Sequence, residues 1–378
     1  PLTSLAPTGF TGGPSFLLAY AQAQDGIASP VDYNNAGRAQ AQPLTVSIAN
    51  LLKGTGGSIS GPDASGYFTA VMTGTNVFPA GSTMRAVALQ GYYSQTKAPA
   101  TTAVPIGRHS ISVVKAVTGD VERRKVVDSD KCSNCHEWFE GHGGNRVYQA
   151  QVCVMCHVPG LATSGRGVTD AFLKTYGTAA ENKTMAEWNI NKSSTNAALA
   201  FPVVTNNFKD MIHGIHAGRD TATPFMIARD SSSRGALNLL DFRRMDFPGK
   251  INNCETCHVA GTYTGVPANA LASTYESIDA AYNTAIGAGT ATTALAKTAL
   301  ATANATDKVT SPYVAACVGC HSSTKAKTHF GLYKSAVVNQ ARSVFASTVA
   351  SGSSDSTSSV CASCHGVGKD KDVVAAHK

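Results

Sequence analysis

Residues 132–157 read Cys132-Ser133-Asn134-Cys135-His136-Glu137-Trp138-Phe139-Glu140-Gly141-His142-Gly143-Gly144-Asn145-Arg146-Val147-Tyr148-Gln149-Ala150-Gln151-Val152-Cys153-Val154-Met155-Cys156-His157. Two Cys-x-x-Cys-His units bracket this run, and three more follow: Cys254/Cys257 with His258, Cys317/Cys320 with His321, and Cys361/Cys364 with His365. All 10 cysteines are used, in pairs of one spacing. A chain with only 11 histidines does not place one after every pair by chance. Cys-x-x-Cys-His reads as covalent c-type haem attachment. Thiols three positions apart add to the two vinyl groups of one haem, and the adjoining imidazole reaches the iron. A zinc ribbon would suit the interval from Cys135 to Cys153 but explains neither the five histidines nor an odd fifth pair. A disulfide scaffold is uncommon in a chain of this length. The expectation is five covalently bound haem c groups.

Six histidines lie outside the motifs: His109, His142, His213, His216, His329 and His377. Five haems with imidazole on both faces need five of them, which points to bis-histidine ligation throughout. The 7 methionines are poorer sources of ligands, since Met72 and Met84 are far from any motif and Met155 is inside one. Asp210 to Gly218 reads as a helix closed by a glycine cap, with His213 and His216 on one face at i, i+3 to serve two adjacent haems. His142 comes six residues after His136. A helix would advance only about 9 Å over that distance, so His142 is expected to serve a different haem. His329, eight residues after His321, is expected to do the same.

The rest of the chain sets bounds. With 378 residues, 43% apolar and 15% charged, it is long enough for two or three domains and is neither a coiled coil nor a disordered acidic chain. No run approaches 18 apolar residues, so no membrane span is expected. The sequence begins at Pro1 without a leader pattern, and cytochrome c maturation outside the cytoplasm implies export. No cysteine precedes Cys132, so no lipidation site is expected in the sequence as given. The formal charge of +7 falls to about +2 with five oxidised haems and about −3 with five reduced ones, if the propionates are ionised. The basic balance is therefore no sign of nucleic acid.

The fold expected is multidomain. Residues 1–128 carry β-like runs at Ser15–Tyr20, Leu44–Leu52, Tyr67–Met72, Thr83–Tyr93 and Ser110–Val117, separated by Gly/Pro/Asn turns, and suggest an antiparallel sandwich or barrel without haem. Residues 129–378 are too short to wall five cofactors off from one another, so helices and loops with little sheet should wrap a packed haem array. Ala268–Ala305 reads as one or two surface helices and Ser351–Ser359 as a polar loop.

These stretches resemble the pentahaem halves of outer-membrane decahaem cytochromes of the OmcA/MtrC type. The likeness rests on Arg123-Arg124-Lys125-Val126-Val127-Asp128, on the run from Cys132 through His142-Gly143-Gly144-Asn145-Arg146 to His157, and on Met211-Ile212-His213-Gly214-Ile215-His216-Ala217-Gly218. Asp246-Phe247-Pro248-Gly249, Cys361 to Gly368, and Asp372 to His377 complete it. The resemblance implies an adjoining split-barrel, Greek-key-like β domain. It selects His377 as the fifth distal ligand and leaves His109 spare. It also implies extracellular electron transfer to minerals, electrodes or soluble shuttles, with other multihaem cytochromes or an outer-membrane conduit as partners and the cell surface, or secondly the periplasm, as location. Two departures stand out: five motifs rather than about ten, and no cysteine pair in the β segment. The alternatives are a subunit of a polymeric cytochrome filament, formed by self-association, and a multihaem reductase. The second is disfavoured because pentahaem nitrite reductases carry lysine in place of one motif histidine. The expected role is electron carrier; at most it is a terminal metal reductase by outer-sphere transfer.

Overall fold

The computed structural model describes residues 4–6, 9–38, 41–95, 106–163, 167–188, 199–231, 236–290, 303–333, 336–354 and 360–377. The N-terminal part contains β1 (Phe10–Gly12), β2 (Ser15–Ala21), β3 (Leu44–Ser47), α1 (Ile48–Leu52), β4 (Gly57–Ser60), β5 (Thr69–Met72), β6 (Thr83–Gln90), β7 (Tyr92–Gln95), β8 (Ile106–His109) and β9 (Val113–Ala116). Strand order is β3-β2-β6-β9 in one antiparallel sheet, β1-β7-β8 in a second and β4-β5 in a hairpin. Among the described residues these small sheets do not close into a barrel.

Strand β2 is apolar along nearly its whole length because both of its faces are covered. Successive side chains point to opposite faces of a sheet. Leu17 and Ala19 join Ala86, Ala88 and Tyr33 on one side, packed against Val152, Val154, Met155 and Cys156. Leu18 goes to the other side with Leu44, Val46 and Leu51, under Ile59, Met72 and Phe78. The first of these clusters is built partly from the second Cys-x-x-Cys-His motif.

Two of the expected strands change character. The Leu44–Leu52 run is strand only to Ser47, whose side chain then accepts a hydrogen bond from the Asn50 amide and starts α1. The Thr83–Tyr93 run breaks at Gly91, which has φ of 129° and where a Cβ would come within 2.7 Å of Pro14 Cα. Of the other three, Ser15–Tyr20 is strand throughout, and two are shorter than expected, at Thr69–Met72 and Val113–Ala116.

The second part carries α2 (Ser129–Cys132), β10 (Glu140–Gly141), β11 (Arg146–Val147), α3 (Ala150–Cys156), β12 (Val168–Thr169), α4 (Asp170–Tyr176), α5 (Ala179–Glu187), β13 (Leu199–Phe201), α6 (Phe208–His216), β14 (Met226–Ser231), β15 (Ala236–Asp241), β16 (Ser273–Glu276), α7 (Ala280–Gly287), β17 (Lys308–Thr310), α8 (Pro312–Val318), α9 (Thr324–Gly331), β18 (Gln340–Ala341), α10 (Arg342–Ala350), α11 (Val360–His365) and α12 (Val373–Ala376). These helices are short, as expected of segments that support cofactors rather than pack on one another. Sheet is more frequent than the sequence suggested: the antiparallel pairs β10-β11, β12-β13 and β14-β15, and the three strands β16-β17-β18. The alanine-rich interval contributes strand β16 and helix α7, while 291–302 lies outside the described residues, as does 355–359 of the polar loop. No described helix is long and apolar enough to cross a membrane.

Candidate functional site

The motif histidines do not stand alone. Each of the five faces one histidine from outside the motifs. Ring centroids are 6.0 Å apart for His136 and His216, 5.9 Å for His142 and His157, and 6.0 Å for His213 and His258. They are 5.9 Å apart for His321 and His377 and 6.1 Å for His329 and His365. Every partner is distinct. His109 faces no motif imidazole; its ring lies on Trp138 at 5.1 Å, and its Nδ1 is 2.6 Å from the Gly144 carbonyl oxygen.

Local structure accounts for these placements. The four-residue connection between β10 and β11 begins at His142, and His142, Gly143 and Gly144 take φ of 58°, 67° and 87°. Such a left-handed run is accessible mainly to glycine. It turns His142 away from His136 and toward His157, which follows α3. A Cβ at Gly144 would overlap the His109 ring, so the close approach of that ring also requires glycine.

Helix α6 presents His213 to His258 and His216 to His136. Its cap is Asn207, buried, whose side chain accepts from the Asp210 amide at 3.0 Å and donates to Thr205 and Asp210. The helix begins and ends one or two residues earlier than its sequence suggested. Gly218 is not a left-handed cap; it is required because a Cβ there would overlap the Phe242 carbonyl.

Neighbouring motifs are tied together by main chain. Asp128 N donates to Cys257 O at 3.0 Å and Val259 N to Val126 O at 2.9 Å, while Lys131 Nζ donates to the carbonyls of Glu255 and His258. A Cβ at Gly319, inside the fourth motif, would lie 3.0 Å from His213 Cβ. The hydroxyls of Thr221 and Ser322 are 2.6 Å apart.

The rings suit metal ligation in their chemistry. Nδ1 of His157, His216, His365 and His377 each lies at 2.7 to 3.2 Å from a backbone carbonyl, of Asn206, Ile212, Lys371 and Val373 respectively. A ring that donates from Nδ1 has Nε2 free as a ligand. Nδ1 of His213 and of His258 is buried with no partner. Burial, and then the neighbouring His258, Lys209 and His216, bring His213 down to about 4, and desolvation followed by Arg146 does the same for His142. Both imidazoles are therefore neutral near pH 7, the form that binds metal.

The spacing fits as well. A metal–imidazole bond is about 2.0–2.1 Å, so one ion between two Nε2 atoms sets the ring centroids roughly 6 Å apart. Among the described residues no group of three or more His, Cys, Asp or Glu could hold a metal ion, the arrangement a zinc ribbon would need. All ten thiols are unbridged. The two cysteines before each histidine and the paired imidazoles are a donor set that fits haem c, and Cys132, Cys135, Cys153, Cys156, Cys254, Cys257, Cys317, Cys320, Cys361 and Cys364 would attach it.

Sequence reasoning singled out none of Lys131, Arg146 or Asn207 for an individual role and left His109 spare. Lys131 and His109 gain one from contacts across the fold, and Asn207 from its local cap on α6. Comparison with known proteins adds one finding. A profile described as outer membrane cytochrome MtrC/MtrF-like, domains II/IV, matches residues 124–378, more than half of the chain. Neither a curated relative nor a solved structure matches. The match takes in every motif and every paired histidine and leaves His109 outside. The chain belongs to the family of MtrC/MtrF-like outer-membrane cytochromes.

Proposed function

We propose that this protein conducts electrons through five bis-histidine haems and delivers them outside the cell. The observation that carries the reading is the set of five imidazole pairs, each joining one motif histidine to one distal histidine at 5.9 to 6.1 Å. Haem supplies a one-electron Fe(III)/Fe(II) couple, and His/His ligation holds its potential lower than Met/His does. The residues do the remainder. Two imidazoles per site would hold the haem iron from both sides, leaving no coordination site for a substrate and letting the iron change charge with little movement of the residues that hold it. This favours a carrier over a reductase.

The distal ligands also lay out a path. His142 leaves the first motif to face the second; α6 supplies the first and third; Gly319 of the fourth motif touches His213 of the third site. His329 and His377 cross between the last two motifs. The order of sites is then second, first, third, fourth, fifth. We further propose that the chain divides near residue 128, with the N-terminal sheets corresponding to a split-barrel domain. Its partners would be other multihaem cytochromes or an outer-membrane conduit, and its acceptors minerals, electrodes or soluble shuttles.

The test is haem stoichiometry, by pyridine haemochrome and intact mass, together with the spin state of each ferric iron. Five haems, all low-spin and inert to carbon monoxide, are expected. A high-spin haem that binds nitrite would replace this reading with an enzymatic one.

A further inference from the structure

The second site differs from the other four in two independent ways. Its motif is the most deeply seated of the five: Val152, Met155, Val158 and Leu161 are at most 4% exposed and sit under the N-terminal sheet. Asn35, itself buried, donates to Met155 O at 2.9 Å, and Gln42 donates to Cys156 O at 3.3 Å, so the N-terminal part holds this motif by its own carbonyls. By contrast, Cys135, Cys320 and Cys364 of the first, fourth and fifth motifs are exposed.

The second feature is Arg146. It opens β11, opposite Gly141 in register and on the same hairpin as His142. Arg85, Arg123, Arg219, Arg243 and Arg342 each have a carboxylate partner. Arg146 has none among the described residues, and its Nε is buried with no hydrogen-bond acceptor. Its charge bears on His142 and His157 and on the thiols of Cys153 and Cys156. A guanidinium whose Nε is cut off from water and has no counter-ion is costly, and its fork matches a carboxylate.

We infer that Arg146 holds a haem carboxylate at the His142–His157 site and makes that site the one of highest reduction potential. The inference rests on the proposed haem-carrier function. Its sign follows from charge. Oxidation adds one positive charge at the iron; a nearby guanidinium disfavours that charge, and neutralising a haem carboxylate removes a stabilising counter-charge. Both raise the potential. The second site then lies at one end of the path as a store for electrons, and exchange with partners takes place toward the exposed fifth site.

The experiment is a spectroelectrochemical titration of the holoprotein and of R146Q and R146K, with H142M used to give the second haem a distinct Met/His spectrum. In R146Q the highest of five one-electron waves is expected to move down by at least a tenfold change in its oxidised-to-reduced ratio, about 59 mV, with the other four in place. R146K is expected to keep most of the original value. A highest wave that does not move, a uniform shift of all five, or a shift on a haem other than the one marked by H142M would overturn the inference. Haem loss confined to R146Q supports it; haem loss from R146K too overturns it. A wild-type protein without five low-spin haems would instead defeat the functional reading on which the inference stands.

Discussion

His109 stands outside the five imidazole pairs and still has a positioning task. It closes β8 opposite Tyr92, and its ring reaches the segment carrying His142: Nδ1 to Gly144 O at 2.6 Å, Nε2 to Glu140 at 3.6 Å, and the ring face to Trp138. Gly91 N donates to Asn145 O and Val147 N to the Ser112 hydroxyl, so the strained turn is held from one side by the N-terminal sheets. Losing one such hydrogen bond costs about 1 kcal/mol, small against the whole fold but applied at a turn whose only task is to aim one ring. H109A is therefore expected to leave haem content and overall secondary structure intact while making one of the five ferric haems partly high-spin and open to carbon monoxide. Electron paramagnetic resonance and carbon monoxide difference spectra read this directly. Five fully low-spin haems in H109A would remove the positioning role.

At the scale of elements, α6 is the joint of the array. It begins beside the second motif, where Phe208 N donates to His157 O at 3.0 Å and His157 Nδ1 meets Asn206 O at 2.7 Å. One turn later it presents His213 and His216 toward the third and first motifs. Loss of an N-cap side chain costs about 1 kcal/mol, and leaving its buried partners unsatisfied adds a further 1–3 kcal/mol. N207A is expected to lower the melting temperature and to raise the high-spin fraction at two haems together, those of His136 and His258, in contrast to the single haem affected by H109A. A spectrum with one perturbed haem would contradict the shared-helix account. Much of α6 was legible beforehand, because Asp210 to His216 has helical spacing and two histidines at i, i+3. Which motif each ring faces was not legible, since that depends on α2 meeting the segment around Cys254 through the Val127–His258 bridge, over a hundred residues apart. The Leu44–Leu52 run misled for a local reason: apolar and polar residues alternate from Leu44 to Ile48 as in a strand, and only the Ser47 side chain marks the change to helix.

Across the whole molecule the N-terminal part is wedged into the motif-bearing part by buried charge. Arg342, 3% exposed, pairs with Asp25 at 2.9 Å and Asp307 at 3.6 Å, and Ile27 joins Leu271, Val309 and Phe345 in one apolar cluster. Removing the cation would strand two buried carboxylates, a loss of about 3–5 kcal/mol. R342M is expected to lower the unfolding temperature of the sheets and of the motif region alike, in a single calorimetric transition; two separated transitions would show the halves to be independent. A second ion-pair cluster, inside the N-terminal part and next to the joint, makes the fold sensitive to acid. Asp32 is buried, which by itself raises its pKa, but Arg123 at 2.6 Å and Arg124 at 3.4 Å outweigh burial and hold the carboxyl below its ordinary value. In the unfolded chain an aspartate titrates near about 3.9. Above that pH Asp32 is ionised in both states and its contribution to stability is complete. Below it the unfolded chain takes up the proton first, and the contribution fades as pH falls through the folded value. D32N should thus be less stable than the parent by about 3 kcal/mol near pH 7, where two arginines lose their counter-charge. The gap should narrow steadily below about pH 4. Denaturant midpoints of both proteins, followed by tryptophan fluorescence and far-ultraviolet dichroism across that range, give the two curves. Parallel curves down to about pH 2.5 would mean that this ion pair does not set the acid limit of the fold.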